Sequence, residues 1–488
     1  MPIINQISAR WILDSRGIPT IVCSTKITNK SSPNNFYKGK SSVPSGASTG
    51  IHEALELRDN DDSKFNGKGV NKAINNLLNI IGSKLIGKEF EKACQIDEFM
   101  LNLEVQLEKE LSSRENKLVE IEKLRDQIEQ ITGSQTQTIV AQSADEDYIQ
   151  LSKSVLGANA ILAISMSVHR AFAAASNMEL WQYLRREYFS NQLEGKKFPL
   201  LMCNIFNGGQ HASNNLDIQE FMVIPKTGNI ETDIQTIADI YQKLKQILKK
   251  QGQSTSVGDE GGFAPDYNGT AEVLKIIDTA AQECGYTKVN YDLALDCAAS
   301  EFYDKETNSY SVDGVNYSQS ALTDFYTKLS DEFNLVSIED PFAEDDLLGW
   351  ELITTKIGKK RLLIGDDLFT TSSSRFSKIV LDRPSNSNTN WDNFNFETAK
   401  KNNIANGILI KPNQIGTILE TANMINLAKK CEYAIAVSHR SGETNDDFIS
   451  DLAFACQSEY IKLGAPARGE RVAKYNRLLE IWEDISVG

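Results

Sequence analysis

The sequence lacks an apolar run long enough to cross a bilayer, which takes about 20 residues. Its first residues, MPIINQISARWILDSRG, show no basic leader followed by an apolar segment, so we expect no secretory signal. The seven cysteines are an odd number, scattered from Cys23 to Cys456, and this excludes a small disulfide scaffold. Unpaired cysteines are typical of a reducing compartment. These absences together predict a cytoplasmic protein.

A surplus of positive charge is also absent. The chain has 51 Lys and Arg against 66 Asp and Glu, for a formal net charge of −15. Nucleic acids and anionic membranes bind basic faces, so this balance argues against both as partners. With 41% hydrophobic and 24% charged residues, the composition is that of a globular protein. An anionic small substrate stays compatible if Arg, Lys or a bound metal supplies local positive charge.

The C-terminal half repeats one pattern: a short apolar run ends in a polar residue, and a loop and an amphipathic stretch follow. The runs are LLMCNIFN (200–207), FMVIP (221–225), VNYDLALD (289–296), LVSIED (335–340), RLLIGDD (361–367), GILIKPN (407–413), AIAVSHR (434–440) and YIKLGA (460–465). Such alternation predicts parallel β/α units, and continuous apolar runs are typical of buried parallel strands. Eight units predict a closed α/β barrel, with a doubly wound open sheet as the alternative.

The N-terminal part differs from this pattern. VCSTKIT and KSSVP indicate half-buried strands, and helical stretches follow near 69–101 and 154–178. We therefore predict an N-terminal α+β domain at 1–197 and a catalytic barrel domain at 198–488, with GKKFP as the linker.

Two segments look inserted. Leu and Ile recur at helical spacing through 104–131, and a polar stretch continues to about residue 150. Residues 376–403 are rich in Asn and Ser without periodicity, which predicts a surface loop. We interpret both as solvated elaborations, and a partner-binding coiled coil at 104–131 is the alternative.

Three carboxylates follow predicted strands: Asp296, Glu339 and Asp366. In a β/α barrel the carboxyl ends of the strands meet at the active site, so these acids would converge and repel one another. A hard cation such as Mg²⁺, which prefers oxygen ligands, would resolve that repulsion. A single Asp at such a position is commonly a helix cap, but three in register favour a metal site.

The other strand ends carry cations or histidine: Lys411, His439, Arg440 and Lys462. Arg440 and Lys462 suit the binding of phosphate or carboxylate groups. Lys411 follows four apolar residues, and burial together with a nearby metal would lower its pKa toward that of a general base.

Glycine-rich segments add further acids and a histidine. NGGQH and QEF contain His211 and Glu220, and VGDEGGFAP contains Glu260. Glycine pairs allow tight turns and close approach of the backbone to a ligand. The loop VPSGASTG (43–50) is a weak signal for anion or metal binding on its own.

The motifs, taken together, resemble the enolase family over nearly the whole chain apart from the two insertions. They are DSRGIPT (14–20), VPSGASTGIHEALELRD (43–59), LGANAIL (156–162), NIFNGGQHA (204–212), QEFM (219–222), VGDEGGFAP (257–265), LDCAASEF (295–302), SIEDPFAEDD (337–346), GDDL (365–368), KPNQIGT (411–417), VSHRSGET (437–444) and IKLGAPARGERVAKYN (461–476). The resemblance implies a Mg²⁺-dependent lyase of glycolysis and gluconeogenesis, which converts 2-phospho-D-glycerate to phosphoenolpyruvate and water with two Mg²⁺ ions.

The resemblance also implies a role for each matched residue. Lys411 matches the base that takes the C2 proton, Glu260 the acid that helps the C3 hydroxyl leave, and Glu220 its acidic neighbour. The remaining matches are His211 on a mobile loop, Asp296, Glu339 and Asp366 on the first Mg²⁺, Ser48 on the second, Arg440 and Ser441 on the phosphate, and Lys462 on the carboxylate. His439, beside Arg440, is expected among the substrate-binding residues.

Some positions depart from the family pattern. Val22 and Glu480 stand where family members usually carry a Glu and an Arg that pair across a dimer interface. We expect a homodimer whose interface lacks this ion pair. An exposed ion pair is worth under about 1 kcal/mol, so its loss does not exclude the dimer. Ile18 and Leu463 also replace residues common in the family.

Two other functions compete with the enolase hypothesis. The first is another acid-sugar dehydratase or racemase of the same superfamily, and the run His439–Ser441 with the 43–50 loop argues for a phosphorylated substrate instead. The second is a catalytically silent scaffold that binds partners through 104–131, and the intact Lys411 and Glu260 argue against it.

Overall fold

The computed structural model of the protein describes residues 1–30, 32–46, 53–111, 153–189, 197–372 and 396–487. Three predictions fall wholly or partly outside these ranges: Ser48, most of the 104–150 insertion, and 376–395 of the Asn/Ser-rich segment. Within the described ranges, no helix is both long and apolar enough to cross a membrane.

The N-terminal part is an antiparallel sheet covered by helices. Its strands, in the order β1-β2-β3, are β1 (Pro2–Leu13), β2 (Pro19–Asn29) and β3 (Ser32–Ser42). The helical segments are Phe65–Gly67, Asn71–Asn75, Asn76–Gly82, Ser83–Leu85, 94–111, Ala158–Ala175, Leu180–Leu184 and Arg185–Phe189. The helix Ala158–Ala175 lies against β2 and β3. A Cβ on Gly39 would lie 1.9 Å from the Ser167 carbonyl oxygen, so this packing requires glycine there.

The C-terminal part is a closed eight-stranded barrel, which excludes the open-sheet alternative. Its strands are β4 (Leu200–Asn207), β5 (Glu220–Pro225), β6 (Tyr291–Asp296), β10 (Leu335–Glu339), β11 (Leu362–Gly365), β12 (Gly407–Ile410), β13 (Ala434–Ser438) and β14 (Tyr460–Lys462). A small sheet contains β7 (Tyr303–Asp304), β8 (Ser309–Val312) and β9 (Val315–Tyr317). All eight apolar runs thus form the predicted barrel strands.

Helices surround the barrel and connect its strands. They are Gly209–His211, Ile230–Lys250, Thr270–Glu283, Ala299–Phe302, Gln319–Phe333, Leu347–Ile357, Phe396–Lys401, Pro412–Ile415, Ile418–Lys430, Phe448–Cys456 and Gly469–Val487. Inside the barrel, an apolar layer that includes Met202, Met222 and Leu409 fills the lumen, so the barrel is a packed core and not a pore.

The strand β5 departs from the parallel pattern of the apolar runs and gives the barrel the irregular strand arrangement that the family resemblance implies, because it runs antiparallel to both β4 and β6. A parallel connection needs a crossover of a dozen or more residues, usually a helix. Residues 208–219, between β4 and β5, contain only the short turn Gly209–His211. The connection is therefore a hairpin, and the first residue of β5 lies at the same barrel end as the last residues of its neighbours.

The predicted insertions are shorter than their sequence boundaries suggest. The Glu104 carboxylate is buried and accepts hydrogen bonds of 2.9 Å from the backbone N–H groups of Val155 and Leu156. Phe396 is also buried, in the helix Phe396–Lys401. Assigning 396–401 to a surface loop was wrong, because these residues form a helix whose Phe396 and Ala399 pack into the core; residues 402 and 403 are exposed, as predicted. The division into domains after residue 197 stays a prediction.

Candidate active site

The charged residues of the barrel meet at one end of it. Asp296, Glu339 and Lys462 are the last residues of β6, β10 and β14. Glu220 is the first residue of β5, and it pairs in register with Asp296. Glu339 pairs with Asp296 on the other side. The fold therefore brings these four side chains to the carboxyl-end mouth, where β/α barrels carry their active sites.

Lys462 occupies the centre of this group. Its Nζ lies 2.8 Å from Glu339 Oε2, 2.9 Å from Asp296 Oδ2 and 3.2 Å from Glu220 Oε1. Burial alone would lower the pKa of Lys462, but Asp296, Glu220 and Glu339 together raise it well above its usual range. Lys462 is therefore a protonated ammonium group surrounded by carboxylates.

The carboxylates exceed what one lysine can satisfy. Burial, followed by the charge of Asp296, raises the pKa of Glu339 well above its usual range. Its Oε1 and Glu220 Oε2 are buried without a hydrogen-bond partner among the described residues. Buried polar oxygens left without a partner are costly, and a hard cation would satisfy them. The arrangement thus fits a metal ion bound by oxygen ligands.

Asp366 and Lys411 form the neighbouring pair. Lys411 Nζ contacts Asp366 Oδ2, and Gln414 Nε2 donates to Asp366 Oδ1 over 3.0 Å. Burial lowers the pKa of Lys411, but the charge of Asp366 outweighs it and the net direction is upward. The expectation of a lowered pKa for Lys411 is not met in this arrangement of charges, because Asp366 lies directly against it. That expectation assumed a metal ion near Lys411, and such an ion would compete with Lys411 for the Asp366 carboxylate.

A second acidic cluster lies beside Asp366, and the sequence reasoning missed it. Carboxylate oxygens of Asp340, Asp366 and Asp367 lie within 4.8 Å of one another. Asp340 accepts hydrogen bonds from the backbone N–H groups of Asp366 (2.9 Å) and Asp367 (3.0 Å). Burial, with the charge of Asp366, raises the pKa of Asp367 to about 7. The motif SIEDPF, in which Asp340 follows Glu339, is the signal that could have found it.

Glu220 and Glu260 share a second corner of the site with His211. His211 Nδ1 lies 3.5 Å from Glu220 Oε1 and 3.8 Å from Glu260 Oε1. Burial and the charge of Glu260 raise the pKa of Glu220 well above its usual range. Burial also opposes ionisation of Glu260, but His439 and His211 outweigh it and lower its pKa. The two carboxyl groups therefore titrate as a coupled pair whose pKa values are shifted in opposite directions.

His439 is held by an arginine that the sequence reasoning did not assign. Arg471 is fully buried, and its Nη1 donates to His439 Nδ1 over 2.6 Å. Its guanidinium also donates to the carbonyl oxygens of Arg440 and Ser441, at 2.6 and 2.7 Å. Burial lowers the pKa of His439 to about 3, against the opposing effect of the Glu260 charge. Its Nε2 lies 3.3 Å from Glu260 Oε2.

Arg440 points into the cavity from the end of β13. Both of its terminal nitrogens donate to Glu53, with Nη1 at 2.9 Å from Oε2 and Nη2 at 3.1 Å from Oε1. Arg16 comes from the N-terminal sheet and reaches Ser441 Oγ at 3.5 Å. Glu53 and Arg16 lie in the motifs IHEALELRD and DSRG, which signalled the site without indicating these contacts.

The structure brings together the predicted site residues that it describes. One cavity is lined by His211, Glu220, Glu260, Asp296, Asp366, Lys411, His439, Arg440, Ser441 and Lys462, along with Glu53, Gln219, Ala298, Ser300, Glu301, Asp340, Asp367 and Ser438. Glu339 lies behind this lining, in contact with Lys462. Ser48 lies outside the described residues, so its predicted metal contact stays a prediction.

Comparison with known proteins supports the resemblance to enolases over nearly the whole chain. Two family models match: "Enolase, N-terminal domain" over residues 4–111 and "Enolase, C-terminal TIM barrel domain" over residues 196–488. The chain is 40% identical over 480 residues to an enolase of Ehrlichia ruminantium (strain Welgevonden), covering 98% of this chain and 96% of that relative. It is also 40% identical over 483 residues to an enolase of Elusimicrobium minutum (strain Pei191), covering 99% and 96%.

Proposed function

The chain belongs to the enolase family, and from that premise we propose which of its residues carry out the reversible dehydration of 2-phospho-D-glycerate to phosphoenolpyruvate and water. It is a hydro-lyase. One observation supports the proposal most strongly: Lys462 with its three carboxylates and the Lys411–Asp366 pair lie at the same barrel mouth.

We assign the metal to the acids of this mouth. Asp296, Glu339 and Asp366 would hold one Mg²⁺ ion, and Ser48 would contribute to a second. A bound Mg²⁺ supplies positive charge that stabilises the negative charge developing on the substrate carboxylate. The unpartnered Glu339 Oε1 supports this assignment.

Lys411 is the proposed base, which takes the proton from C2 of the substrate. It must be neutral to do so, and its contact with Asp366 opposes that. Any charge that draws Asp366 away would lower the pKa of Lys411 toward the range of a base. The pKa of Lys411, and with it the ability of Lys411 to act as a base, therefore depends on whether another cation binds Asp366.

Glu260 is the proposed acid, which donates a proton to the C3 hydroxyl as that group leaves as water. Glu220, with a carboxylate oxygen within 4.8 Å of one of Glu260 and a raised pKa, would be the neighbour that supplies this proton to Glu260. His211 lies against both carboxyl groups and would orient them.

The cations of the mouth bind the anionic ends of the substrate. Arg440 and Ser441 would contact the phosphate and Lys462 the carboxylate, with His439 beside them. Arg471 fixes the backbone of Arg440 and Ser441 through their carbonyl oxygens, which would hold the phosphate contacts in place.

We keep the homodimer as a proposal. Glu480 bonds to Arg477 of its own chain at 3.1 Å, and Val22 is buried in β2, so neither residue supplies the usual ion pair between copies. The strand β1 exposes Trp11 and Leu13, apolar surface that a second copy could cover. The molar mass in solution, measured by light scattering, tests this proposal, and a monomer at micromolar concentration would contradict it.

The cytoplasm is the proposed compartment. All seven cysteines lie among the described residues, and all are free thiols. Free thiols, four of them buried, suit a reducing environment.

An absorbance assay tests the activity. Purified protein with Mg²⁺ and 2-phospho-D-glycerate should produce the absorbance of the enol product, and EDTA should abolish it. The acid-sugar dehydratases are the comparison: turnover of a non-phosphorylated sugar acid in place of 2-phospho-D-glycerate would contradict the assignment.

A further inference from the structure

Glu53 pairs with Arg440 in the geometry that an anionic ligand would adopt. Two parallel N–H···O bonds join the guanidinium to both oxygens of the Glu53 carboxylate, at 2.9 and 3.1 Å. The two side chains are only 6% and 4% exposed. Bidentate pairing of this kind is the way in which arginine binds carboxylates and phosphates. One edge of Arg440 is therefore occupied by an anion that belongs to the chain itself.

A hydrogen-bond network holds Glu53 in this position. Gln414 Nε2 donates to Glu53 Oε1 at 3.3 Å and to Asp366 Oδ1 at 3.0 Å. Gln414 Oε1 accepts from Thr371 Oγ1 at 2.6 Å, and Thr371 in turn accepts from the backbone N–H of Lys411. The buried Gln414 amide is therefore fixed at both ends, and its only described partners are these groups. Glu53 is thus bound to the same elements that carry the proposed base.

Asn413 occupies a further donor of Arg440. Its Oδ1 accepts from Nη1 at 3.1 Å, so Nη1 is shared between Glu53 and Asn413. A phosphate approaching Arg440 from the cavity must compete with these acceptors. Glu53 is the charged one of the two and makes two of these three bonds, so the main competition is between two anions for one guanidinium.

We propose that Glu53 is a built-in competitor for the anionic group of the substrate at Arg440, and that substrate binding displaces it. This inference rests on the proposed phosphate contact of Arg440. In the free enzyme Glu53 neutralises a buried arginine, and in the complex the substrate anion takes over that function. The affinity for substrate depends on this exchange. The free energy gained when Arg440 binds the substrate anion must offset the free energy lost when the Glu53–Arg440 pair is broken. Glu53 is therefore a residue that determines affinity and not one that takes part in proton transfer.

The test is Glu53→Gln, which keeps the size of the side chain and removes its charge. Affinities for inorganic phosphate and for 2-phospho-D-glycerate are measured by calorimetry on the Mg²⁺-loaded full chain. We expect Glu53→Gln to bind inorganic phosphate about tenfold more tightly than the unchanged protein and to show a lower KM. Glu53→Asp, which keeps the charge but shortens the reach, should bind with intermediate affinity.

Glu56→Gln is the matched control. Glu56 lies three residues further along the chain and pairs with Arg58 at 2.7 Å. Glu56→Gln therefore removes the same charge as Glu53→Gln, also near the site. A smaller gain in Glu56→Gln than in Glu53→Gln supports direct competition. Equal gains in both variants would overturn the inference, since they would show only a change in the local field. Unchanged or weaker phosphate binding by Glu53→Gln would also overturn it, because Glu53 would then hold Arg440 in its binding orientation.

A third variant separates this inference from the proposed function. Arg440→Gln should lose most of its affinity for inorganic phosphate. If it does, and Glu53→Gln gains none, the competition fails while the phosphate contact stands. If Arg440→Gln binds phosphate as well as the unchanged protein does, the assignment of Arg440 fails, and the inference fails with it.

Discussion

Lys462 Nζ lies 2.8 Å from Glu339 Oε2 at the barrel mouth, and both side chains are almost wholly buried. The lysine therefore provides, within the chain, the positive charge that the acids around it require. A bound metal would have to share those oxygens with Lys462. Lysine and metal consequently act on the same carboxylates, and their effects on stability are linked.

Replacing Lys462 with Met tests that link. Removing the ammonium leaves Asp296, Glu339 and Glu220 without their shared cation, and breaking a buried pair costs about 3–5 kcal/mol. We expect a lower Tm in EDTA, and a rise in Tm on adding Mg²⁺ that exceeds the rise in the unchanged protein, because ligands that bind only the folded state stabilise it. The measurement is thermal unfolding with and without Mg²⁺.

Lys360→Met serves as the control, because Lys360 is exposed. It should leave both Tm values almost unchanged. Equal Mg²⁺ shifts in Lys462→Met and in the unchanged protein would contradict the link between the lysine and the metal.

Lys411→Ala should abolish turnover while leaving substrate binding measurable. Loss of a general base typically costs roughly 10²–10⁴-fold in rate. Exchange of the C2 proton of 2-phospho-D-glycerate with deuterium from solvent reports the step directly, and it should fall by a similar factor. The exposed Lys359, changed to Ala, provides a matched comparison. Near-normal exchange in Lys411→Ala would remove Lys411 as the base.

Asp97 makes stability depend on pH. Burial raises its pKa to about 7, although Ser165 and the backbone N–H of Leu419 donate to it at 2.9 and 3.0 Å. The folded state therefore retains a proton that the unfolded state releases near pH 4, and this term lowers stability as pH rises from about 4 to about 7. Asp97→Asn does not lose stability in this way. The difference in Tm between the variant and the unchanged protein should therefore be more positive at pH 8 than at pH 5.

Glu98→Gln, a change at the exposed neighbour on the same helix, controls for the lost charge. Its Tm difference from the unchanged protein should be the same at pH 5 and pH 8. A pH-independent difference for Asp97→Asn as well would refute the assignment of this term to Asp97.

The segment 112–152 is expected to be dispensable for activity. Replacing it with a Gly/Ser linker keeps Glu104, whose carboxylate holds the backbone of Val155 and Leu156. We expect kcat/KM for 2-phospho-D-glycerate to be unchanged. Glu104→Ala, by contrast, leaves the half-buried N–H of Val155 and the buried N–H of Leu156 unsatisfied, at about 1–3 kcal/mol for a buried donor, and should lower Tm by several degrees. Glu110→Ala, at an exposed position of the same helix, is the comparison for Tm. A large loss of kcat on replacing 112–152 would place this segment in contact with the site.

The strands could be predicted from the sequence, because each buried run is short and apolar and ends at a polar or charged residue. The direction of β5 could not, since FMVIP has the same composition in either direction and only the short connection 208–219 decides it. The boundaries of the insertions were misplaced for a similar reason. Glu104 continues the polar helical pattern of 104–131, and only its contacts with residues 155 and 156 show that it belongs to the body.

The sequence predicted which residues form the site better than it predicted how their pKa values are shifted. Residue types and order along the chain identified Lys411, Glu260 and Arg440, because motifs determine which side chains are present. The pKa directions depend on distances between residues far apart in sequence. The upward pKa shifts of Lys411 and Glu220 depend on the nearby charges of Asp366 and Glu260, which no local pattern contains.

The seam between β4 and β14 has a consequence for synthesis of the protein. Leu200 pairs with Tyr460 there, so the barrel closes through residues from the two ends of the C-terminal half. The helices that pack against the N-terminal sheet lie between Asn71 and Ala175, and they leave the ribosome much earlier. Most of the active-site acids are therefore made long before Lys462 can neutralise them, and a nascent chain that stalls before residue 460 carries a half-built, strongly acidic barrel open to chaperones.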